Sequence, residues 1–213
     1  MQSMTQKNYQ KELDAILRNQ GETRPKLLLH SCCGPCSSSV LEYLTKYFEV
    51  TVLWFNPNLF PEEEFRKRLD TLKELLEKSG LSETVRLWAE DWRSPEFYDR
   101  VRGLENEPEG GKRCEQCFRL RLSETAEIAA REGLDYFCTT LTVSRFKNAE
   151  LINRIGEETA ELFKVAWLPS DFKKRGGEER SQALSRQYGL YRQNYCGCEY
   201  SLRSRTNGTS DAG

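Results

Sequence analysis

The sequence has one histidine, His30, among 213 residues. Zinc sites of mixed Cys/His type and histidine-based acid–base catalysis therefore have almost no side chains to draw on. Neither sign of charge is in excess, because 32 lysines and arginines oppose 33 aspartates and glutamates, for a net charge of −1. This balance excludes a polyelectrolyte that binds nucleic acid over its whole surface, so any such contact requires a local basic patch.

Long apolar runs are also missing. The longest, such as Val50 to Phe55, are far too short to cross a bilayer. The stretch Met1 to Asn8 is polar and lacks the apolar segment of a signal peptide. From these absences we expect a cytoplasmic protein with no membrane partner.

The pattern of apolar segments predicts an α/β fold. Short apolar runs that predict strands alternate with amphipathic segments that predict helices of a dozen or more residues. The predicted strands are Lys26 to His30, Val50 to Phe55, Val85 to Trp88, Tyr136 to Leu141 and Val165 to Leu168. Such alternation is typical of a parallel sheet with helices on both faces.

The chain length fits one domain with a small appendage. We predict an N-terminal helical extension at residues 1–25 and a single α/β catalytic domain at 26–202. This domain includes a basic C-terminal region with a C-x-C motif, and a polar, disordered tail follows at 203–213. In parallel sheets, ligands bind beyond the carboxyl ends of the strands. We therefore expect the site near Leu27 to Cys36, Glu90 to Trp92 and Thr139 to Ser144.

Eight cysteines are the most informative feature of the composition, and seven of them lie in three short clusters. The clusters are Cys32, Cys33 and Cys36; Cys114 and Cys117; and Cys196 and Cys198. In a reducing compartment, clustered cysteines indicate metal ligands or catalytic thiols rather than a disulfide framework. The eighth, Cys138, lies within a predicted apolar strand and is expected to be a core residue.

The first cluster lies between a predicted strand and a predicted helix. The free N–H groups and the dipole at a helix N-terminus favour the thiolate, which is the form that binds metal. Two interpretations compete. Cys33-Gly34-Pro35-Cys36 has the form of a thioredoxin-like redox centre, whereas the adjacent Cys32 and Cys33 could instead be ligands of a metal cluster.

The second cluster, Cys114 and Cys117, begins a predicted helix, where a spacing of three puts both thiols on one face. Together with Cys32 and Cys33 it could supply four thiolates to zinc or to an iron–sulfur cluster. Adjacent cysteines fit the corners of a cluster better than the sphere of one tetrahedral ion.

The third cluster, Cys196 and Cys198, is separated by one glycine. This spacing puts both sulfurs on one side of an extended backbone, and Gly197 allows the turn that a small-ring disulfide needs. A strained disulfide is easily reduced, which suits redox turnover; a further pair of metal ligands is the alternative.

Basic residues gather in the last third of the chain, close to the third cluster, and tyrosines interleave with them. They are Lys173, Lys174, Arg175, Arg180, Arg186 and Arg192, with Tyr188, Tyr191 and Tyr195. Phosphate contacts by Lys and Arg, together with stacking of bases on tyrosine, are typical of proteins that bind single-stranded RNA loops.

Five stretches together resemble the QueH family of epoxyqueuosine reductases, and the resemblance extends over roughly residues 9–202. They are Leu29 to Ser37, Glu107 to Arg121, Thr139 to Thr142, Leu168 to Lys174 and Tyr188 to Cys198. The resemblance implies a Rossmann-like parallel sheet of the adenine-nucleotide hydrolase type. It also implies reduction of epoxyqueuosine to queuosine at the wobble position of tRNA.

The same resemblance implies a [4Fe–4S] cluster and no cobalamin. Carried over by motif, Cys32, Cys33, Cys114 and Cys117 bind the cluster, while Cys196 and Cys198 form the redox-active pair. The implied partners are the anticodon loop that carries epoxyqueuosine and an unidentified electron donor. An additional iron ion beside the cluster is a further hypothesis, and Asp91, after the third predicted strand, is a candidate proton donor or metal ligand.

The chemistry agrees with these residues, because turning an epoxide into an alkene takes two electrons and two protons, and a dithiol that becomes a disulfide supplies two electrons.

Three alternative functions stay open. A thioredoxin-like disulfide oxidoreductase would use Cys33 and Cys36 but leave the other clusters unused. An ATP-dependent tRNA thiolation enzyme would need a glycine- and serine-rich phosphate loop where this sequence has cysteines. A non-catalytic zinc module could also bind RNA.

Overall fold

The computed structural model describes residues 7–208, which form one five-stranded sheet in the order β3-β2-β1-β4-β5. All strand pairs are parallel, which confirms the predicted α/β, Rossmann-like fold. The strands are β1 Lys26–His30, β2 Glu49–Trp54, β3 Arg86–Ala89, β4 Tyr136–Thr139 and β5 Ala166–Trp167.

Helices cover both faces of this sheet. They are α1 Tyr9–Asn19, α2 Gly34–Leu44, α3 Glu62–Lys78, α4 Ser94–Arg100, α5 Lys112–Arg131, α6 Ala149–Phe163, α7 Gly177–Gln187 and α8 Glu199–Gly208. The chain moves outward from β1 through β2 to β3 and then crosses back to β4 and β5. Right-handed crossovers in these two directions put α2 and α3 on one face and α5 and α6 on the other. The packing agrees, because α2 contacts α3 and α7 while α5 contacts α6.

The central strand β1 is buried on both sides, as the apolar run Leu27 to Leu29 requires in a parallel sheet. Its carboxyl end runs directly into α2 through Ser31 and Cys32. Cys33 caps this helix, since its sulfur accepts a hydrogen bond from the backbone N–H of Cys36 at 3.3 Å. The sequence of the loop therefore places the first cysteine cluster at the middle of the sheet's carboxyl edge.

Three parts of the predicted organisation differ from the structure. Helices α4 and α8 were not predicted. The sequence also predicts a last helix near Ser181 to Tyr188, whereas the corresponding helix α7 begins at Gly177. Helix α8 extends to Gly208, so residues 203–208 of the predicted disordered tail are helical, and residues 209–213 lie outside the described residues. Most of the stretch examined for a signal peptide, residues 1–6, also lies outside them.

The predicted N-terminal extension packs on the α/β domain. Leu13 of α1 belongs to the main hydrophobic core, and Asp14 forms an ion pair with Arg175. The division into extension, catalytic domain and tail stays a prediction. Among the described residues, no helix is both long and apolar enough to span a membrane.

Candidate active site

A cavity of about 570 Å³ lies at the carboxyl ends of β1 and β4. Its walls combine the loop after β1, the segment after β4, helix α5 and the segment before α8. The polar side chains that line it include Cys32, Cys36, Arg121, Lys147, Gln193 and Cys196. Two of the three segments expected to border the site do so; none of Glu90 to Trp92 is among the residues that line the cavity.

The first cysteine cluster is compact. The Sγ atoms of Cys32, Cys33 and Cys36 all lie within 4.8 Å of one another. Thr140 donates a hydrogen bond to Cys32 Sγ at 3.3 Å, and Gln193 donates one to Cys33 Sγ at 3.0 Å. Cys36, to which the sequence assigned no role, is therefore part of the group, and the C-terminal segment reaches it through Gln193.

The three thiols of this cluster differ in how readily they ionise. Hydrogen bonds from Cys33, and then from Cys36, hold the pKa of Cys32 well below its ordinary value. Burial raises the pKa of Cys33 to about 12. Hydrogen bonding to Cys32 raises the pKa of Cys36 well above its ordinary value. Cys32 is therefore the first of the three to become a thiolate, the form in which sulfur binds metal.

The second cluster lies at the start of α5, and both of its thiols are buried. The backbone N–H of Gly110 donates to Cys114 Sγ at 3.2 Å. Cys117 packs in a small apolar cluster with Phe97, Val101 and Cys198, and burial raises its pKa. These two cysteines are not part of the compact group formed by the first cluster.

Arg121 connects all three clusters. Its side chain lines the cavity but is almost fully buried, and its Nε donates to the carbonyl of Cys117 at 3.3 Å. Burial alone would lower the pKa of this guanidinium, but nearby cysteines, when ionised, raise it above its ordinary value. In decreasing order of effect they are Cys117, Cys196, Cys32 and Cys114. The arginine thus supplies a fixed positive charge close to cysteines of all three clusters.

Side chains from distant parts of the chain hold the third cluster. The segment Tyr195 to Cys198 lies against α3, where Arg68 donates to the carbonyls of Cys196 at 3.2 Å and Tyr195 at 3.4 Å. Arg68 is itself buried and pairs with Glu64 at 2.6 Å. Gly197 has φ +121°, and a Cβ there would lie 2.4 Å from Leu59 Cδ2.

Cys196 faces a charged network. Lys147 donates to its Sγ at 2.9 Å and lies 3.4 Å from Glu109. Ser201 donates to the other oxygen of Glu109 at 3.1 Å and accepts from the backbone N–H of Cys196 at 3.2 Å. Burial alone would lower the pKa of Lys147, but the Cys196 thiolate, more than Glu109, raises it above its ordinary value. The ammonium therefore stays charged where it contacts Cys196 Sγ.

Cys198 lies in a different environment from Cys196. It is buried beside Cys117, and burial raises its pKa to about 12. All eight cysteines lie within the described residues and are free thiols. The small-ring disulfide that the C-x-C spacing suggested is therefore not present. The pair is a dithiol in which Cys196 contacts a lysine ammonium and Cys198 is buried and uncharged.

Three other residues singled out in the sequence are not among those that line the cavity. His30 is fully buried. Its Nε2 lies 3.1 Å from the carbonyl oxygen of Phe55, which can only accept a hydrogen bond, so Nε2 carries the proton. Its Nδ1 then accepts a hydrogen bond from the Thr139 hydroxyl at 2.8 Å. Burial lowers the pKa of His30 to about 3, so it is an uncharged packing residue. Cys138 is fully buried, as predicted. Asp91 is exposed beyond edge strand β3 and is not among the residues that line the cavity, so its role stays a prediction.

Two of the tyrosines expected to stack on RNA bases already have partners within the protein. The Lys67 ammonium lies 3.7 Å from the ring centroid of Tyr191, and Arg68 lies 5.0 Å from that of Tyr195.

Most of the basic residues in this region are also paired with acidic side chains. Lys173 and Lys174 contact Asp171, Arg175 contacts Asp14, and Arg180 contacts Glu42. Arg192 is exposed on the cavity wall and makes no ion pair among the described residues.

Sequence reasoning missed Arg68 and Lys147, and it named Arg121 only as a residue beside the second cluster that could extend the basic patch. A signal for a buried role existed for the two arginines, because each interrupts the apolar face of its helix. Arg68 follows Phe65 by three residues, and Arg121 follows Phe118 by the same interval. Lys147 is separated from Cys196 by 49 residues and gave no local signal.

Comparison with known proteins agrees with the site. The family model described as "Epoxyqueuosine reductase QueH" matches residues 27–204. A protein of that name from Streptococcus pyogenes serotype M1 is 38% identical over 200 residues, which cover 92% of this chain and 78% of the relative. One from Staphylococcus epidermidis is 41% identical over 202 residues, 91% of this chain and 84% of the relative.

A more distant relative of the same name, from Thermotoga maritima, is 33% identical over 190 residues, which cover 84% of this chain and 91% of the relative. Such identities hold over most of the length of each protein, and the matched range includes all three cysteine clusters. The chain therefore belongs to the QueH family of epoxyqueuosine reductases.

Proposed function

We propose that this protein reduces epoxyqueuosine to queuosine at the wobble position of tRNA, as the names of its relatives indicate, and that it does so in the cytoplasm. The observation that carries the proposal is the pairing of Cys196 Sγ with the buried Lys147 ammonium at 2.9 Å. This thiol lies on the wall of the same cavity that Cys32 and Cys36 line. A thiol that contacts a lysine ammonium and a compact set of further thiols thus face one substrate-sized space.

The reaction balances with the residues of the third cluster. Two carbon–oxygen bonds of the epoxide break, a carbon–carbon double bond forms, and the oxygen leaves as water. The two electrons come from the thiols of Cys196 and Cys198, which become a disulfide, and an external electron donor then reduces that disulfide. Lys147 Nζ holds a proton beside Cys196 Sγ, at the cavity wall where protons must reach the departing oxygen.

The donor set fits an iron–sulfur centre. Thiolates are the ligands that such clusters take, and Arg121 offsets the negative charge that several thiolates bring together. We propose that Cys32, Cys33, Cys114 and Cys117 hold a [4Fe–4S] cluster, whose chemistry when bound is one-electron transfer and polarisation of an oxygen atom. An additional iron ion belongs to the same proposal without assigned ligands.

Cys36 is an alternative ligand, because its sulfur lies within 4.8 Å of those of Cys32 and Cys33. Iron analysis of Cys36→Ala and Cys114→Ala tells which of the two cysteines binds the cluster. We expect iron loss in Cys114→Ala and the wild-type iron content in Cys36→Ala.

The thioredoxin-like alternative is not favoured. A disulfide exchange enzyme needs an accessible, ionised thiol to attack its partner. Cys33, the first cysteine of the C-x-x-C motif, is fully buried, and its pKa is raised to about 12. Its sulfur is also occupied as the cap of α2 and as the acceptor from Gln193.

The test is anaerobic reconstitution of the full chain with iron and sulfide, followed by an assay on an anticodon stem-loop that carries the epoxide, with a chemical reductant. We expect Cys196→Ser and Cys198→Ser to keep the wild-type iron content but to lose multiple turnover. Cys138→Ala, a fully buried thiol away from the cavity, is the matched control and should keep both. Multiple turnover by Cys196→Ser, or stoichiometric zinc without iron in the wild type, would contradict the proposal.

A further inference from the structure

Phe146 is a large apolar side chain that the fold leaves outside its core. Its exposed fraction is 73%, in the turn between β4 and α6. The turn is well defined, because Phe146 N–H donates to Ser144 Oγ at 3.3 Å and Asn148 caps α6 through Leu151 N–H at 3.1 Å. An exposed phenylalanine ring forgoes about 1.5–3 kcal/mol of burial free energy. Because the ring is exposed and the turn that carries it is well defined, the ring is available to contact a partner.

The ring lies at the mouth of the reaction cavity. Phe146 is among the residues that line it, and its neighbour in the chain, Lys147, turns inward to bind Cys196 Sγ. Neighbouring Cα atoms are about 3.8 Å apart. A flat group that stacks on Phe146 therefore lies one residue away from the lysine that contacts the reactive thiol.

Cations accompany the ring. Arg145 lies 5.1 Å from the Phe146 centroid and is mostly exposed, with Glu178 at 3.5 Å. Arg192 is exposed on the wall of the same cavity. An exposed aromatic ring beside cations is the combination by which proteins bind single-stranded nucleic acid, with bases on the ring and phosphates on the cations.

We infer that Phe146 is a stacking platform for a base that flanks the modified nucleoside in the anticodon loop. This inference rests on the proposed function and names a contact with the RNA that the cysteine chemistry does not require. It also assigns the stacking role to a ring that is mostly exposed, whereas Tyr191 and Tyr195 are only partly exposed. The cavity then receives the modified base while its neighbour stays stacked at the rim.

The chain offers a matched control for this ring. Leu162 is 71% exposed, close to the value for Phe146, and lies near the far end of α6, about 20 Å along the helix from its start. Phe146→Ala and Leu162→Ala therefore remove comparable exposed apolar side chains from opposite ends of one helix. Both positions are on the surface, so neither variant should disturb folding.

The experiment measures binding of the reconstituted full chain to two anticodon stem-loops, each with 2-aminopurine at one of the positions that flank the wobble nucleoside. Stacking on the ring quenches the fluorescence of this base in one of the two loops. Phe146→Ala should abolish that quenching and weaken affinity by about 5- to 150-fold, the range for loss of one stacked base. Phe146→Tyr should keep both signals, Phe146→Leu should lose the quenching, and Leu162→Ala should match the wild type.

Turnover of the epoxide-carrying stem-loop by the wild type and by Leu162→Ala separates the proposed function from this inference. Both proteins should reduce the stem-loop at the same rate, whatever the role of Phe146. Equal stem-loop affinity and quenching in Phe146→Ala and Leu162→Ala would overturn the stacking role while leaving the activity intact. Failure of the wild type to reduce the stem-loop would overturn the activity, and the binding measurement would still decide the role of Phe146.

Discussion

The first and third cysteine clusters border one cavity but are positioned by different means. Cys32, Cys33 and Cys36 occupy the junction of the central strand with a helix, and Cys33 is part of the helix cap. Cys196 and Cys198 lie in a segment without regular structure, before α8. Backbone geometry places the first set, whereas side chains from α3 and from the turn before α6 place the second.

This difference predicts different sensitivities. The first set should tolerate substitution of any single neighbouring side chain, because the strand and the helix persist without it. The second depends on Arg68 for its backbone and on Lys147 for its sulfur. Substitutions far from the cysteines in sequence should therefore disturb Cys196 while leaving the first cluster in place.

Arg68→Met should have the largest effect on stability. Arg68 and Glu64 form an ion pair on α3 that is almost fully buried, and the guanidinium also holds the carbonyls of Tyr195 and Cys196. Removing the arginine leaves Glu64 buried without its cation, which costs about 3–5 kcal/mol. Urea denaturation of the reduced full-length chain measures the loss.

The control for this variant lies on the same helix. Arg66 pairs with Glu62 at the same i,i+4 spacing, but its side chain is 71% exposed. Arg66→Met should cost only about 0.3–0.5 kcal/mol, as exposed helical pairs do. A similar small loss for both variants would show that side chains of α3 do not anchor the C-terminal segment.

The sequence was sufficient for the features that depend on local pattern. Alternating apolar runs predicted the parallel sheet, and the position of Cys32 between a strand and a helix predicted its place at the carboxyl edge. It was insufficient where contacts join distant residues. Lys147 and Cys196 are 49 residues apart, and Arg68 and Cys196 are 128 apart, so no spacing rule relates them. Tyr191 and Tyr195 looked free for RNA because their cation partners lie on α3.

Gly197→Ala should have an intermediate effect that again falls on the third cluster. At φ +121°, a side chain is strained, and the new Cβ would lie 2.4 Å from Leu59 Cδ2 and 2.8 Å from Arg68 Nη1. We expect a loss of about 2–3 kcal/mol from strain and overpacking together. The measurement is urea denaturation, with iron content as a second readout that should stay at the wild-type level.

Gly189→Ala separates strain from packing in that result. Gly189 also has a positive φ, +62°, but a Cβ added there would meet no other atom within 4 Å. It should therefore lose only about 1 kcal/mol, the cost of the backbone conformation alone. If Gly197→Ala were no worse than Gly189→Ala, the close fit of the C-x-C segment against Leu59 and Arg68 would not matter to stability.

Lys147→Met should have the smallest effect in free energy and the most specific one. The substitution keeps the length of the side chain but removes the ammonium that contacts Cys196 Sγ. A hydrogen bond to a charged group contributes about 1.5–3 kcal/mol, so alkylation of Cys196 by iodoacetamide at neutral pH should slow by about tenfold or more. Mass spectrometry of the modified cysteines follows the rate residue by residue.

Lys147→Arg shows whether the charge or merely the packing of Lys147 matters. Because arginine keeps a cation at this position, Lys147→Arg should be alkylated at a rate closer to the wild type than Lys147→Met. Lys112→Met, which removes a lysine from the start of α5, should follow the wild type. Equal deficits in Lys147→Arg and Lys147→Met would instead mean that the lysine only holds the C-x-C segment in place, as Arg68 does.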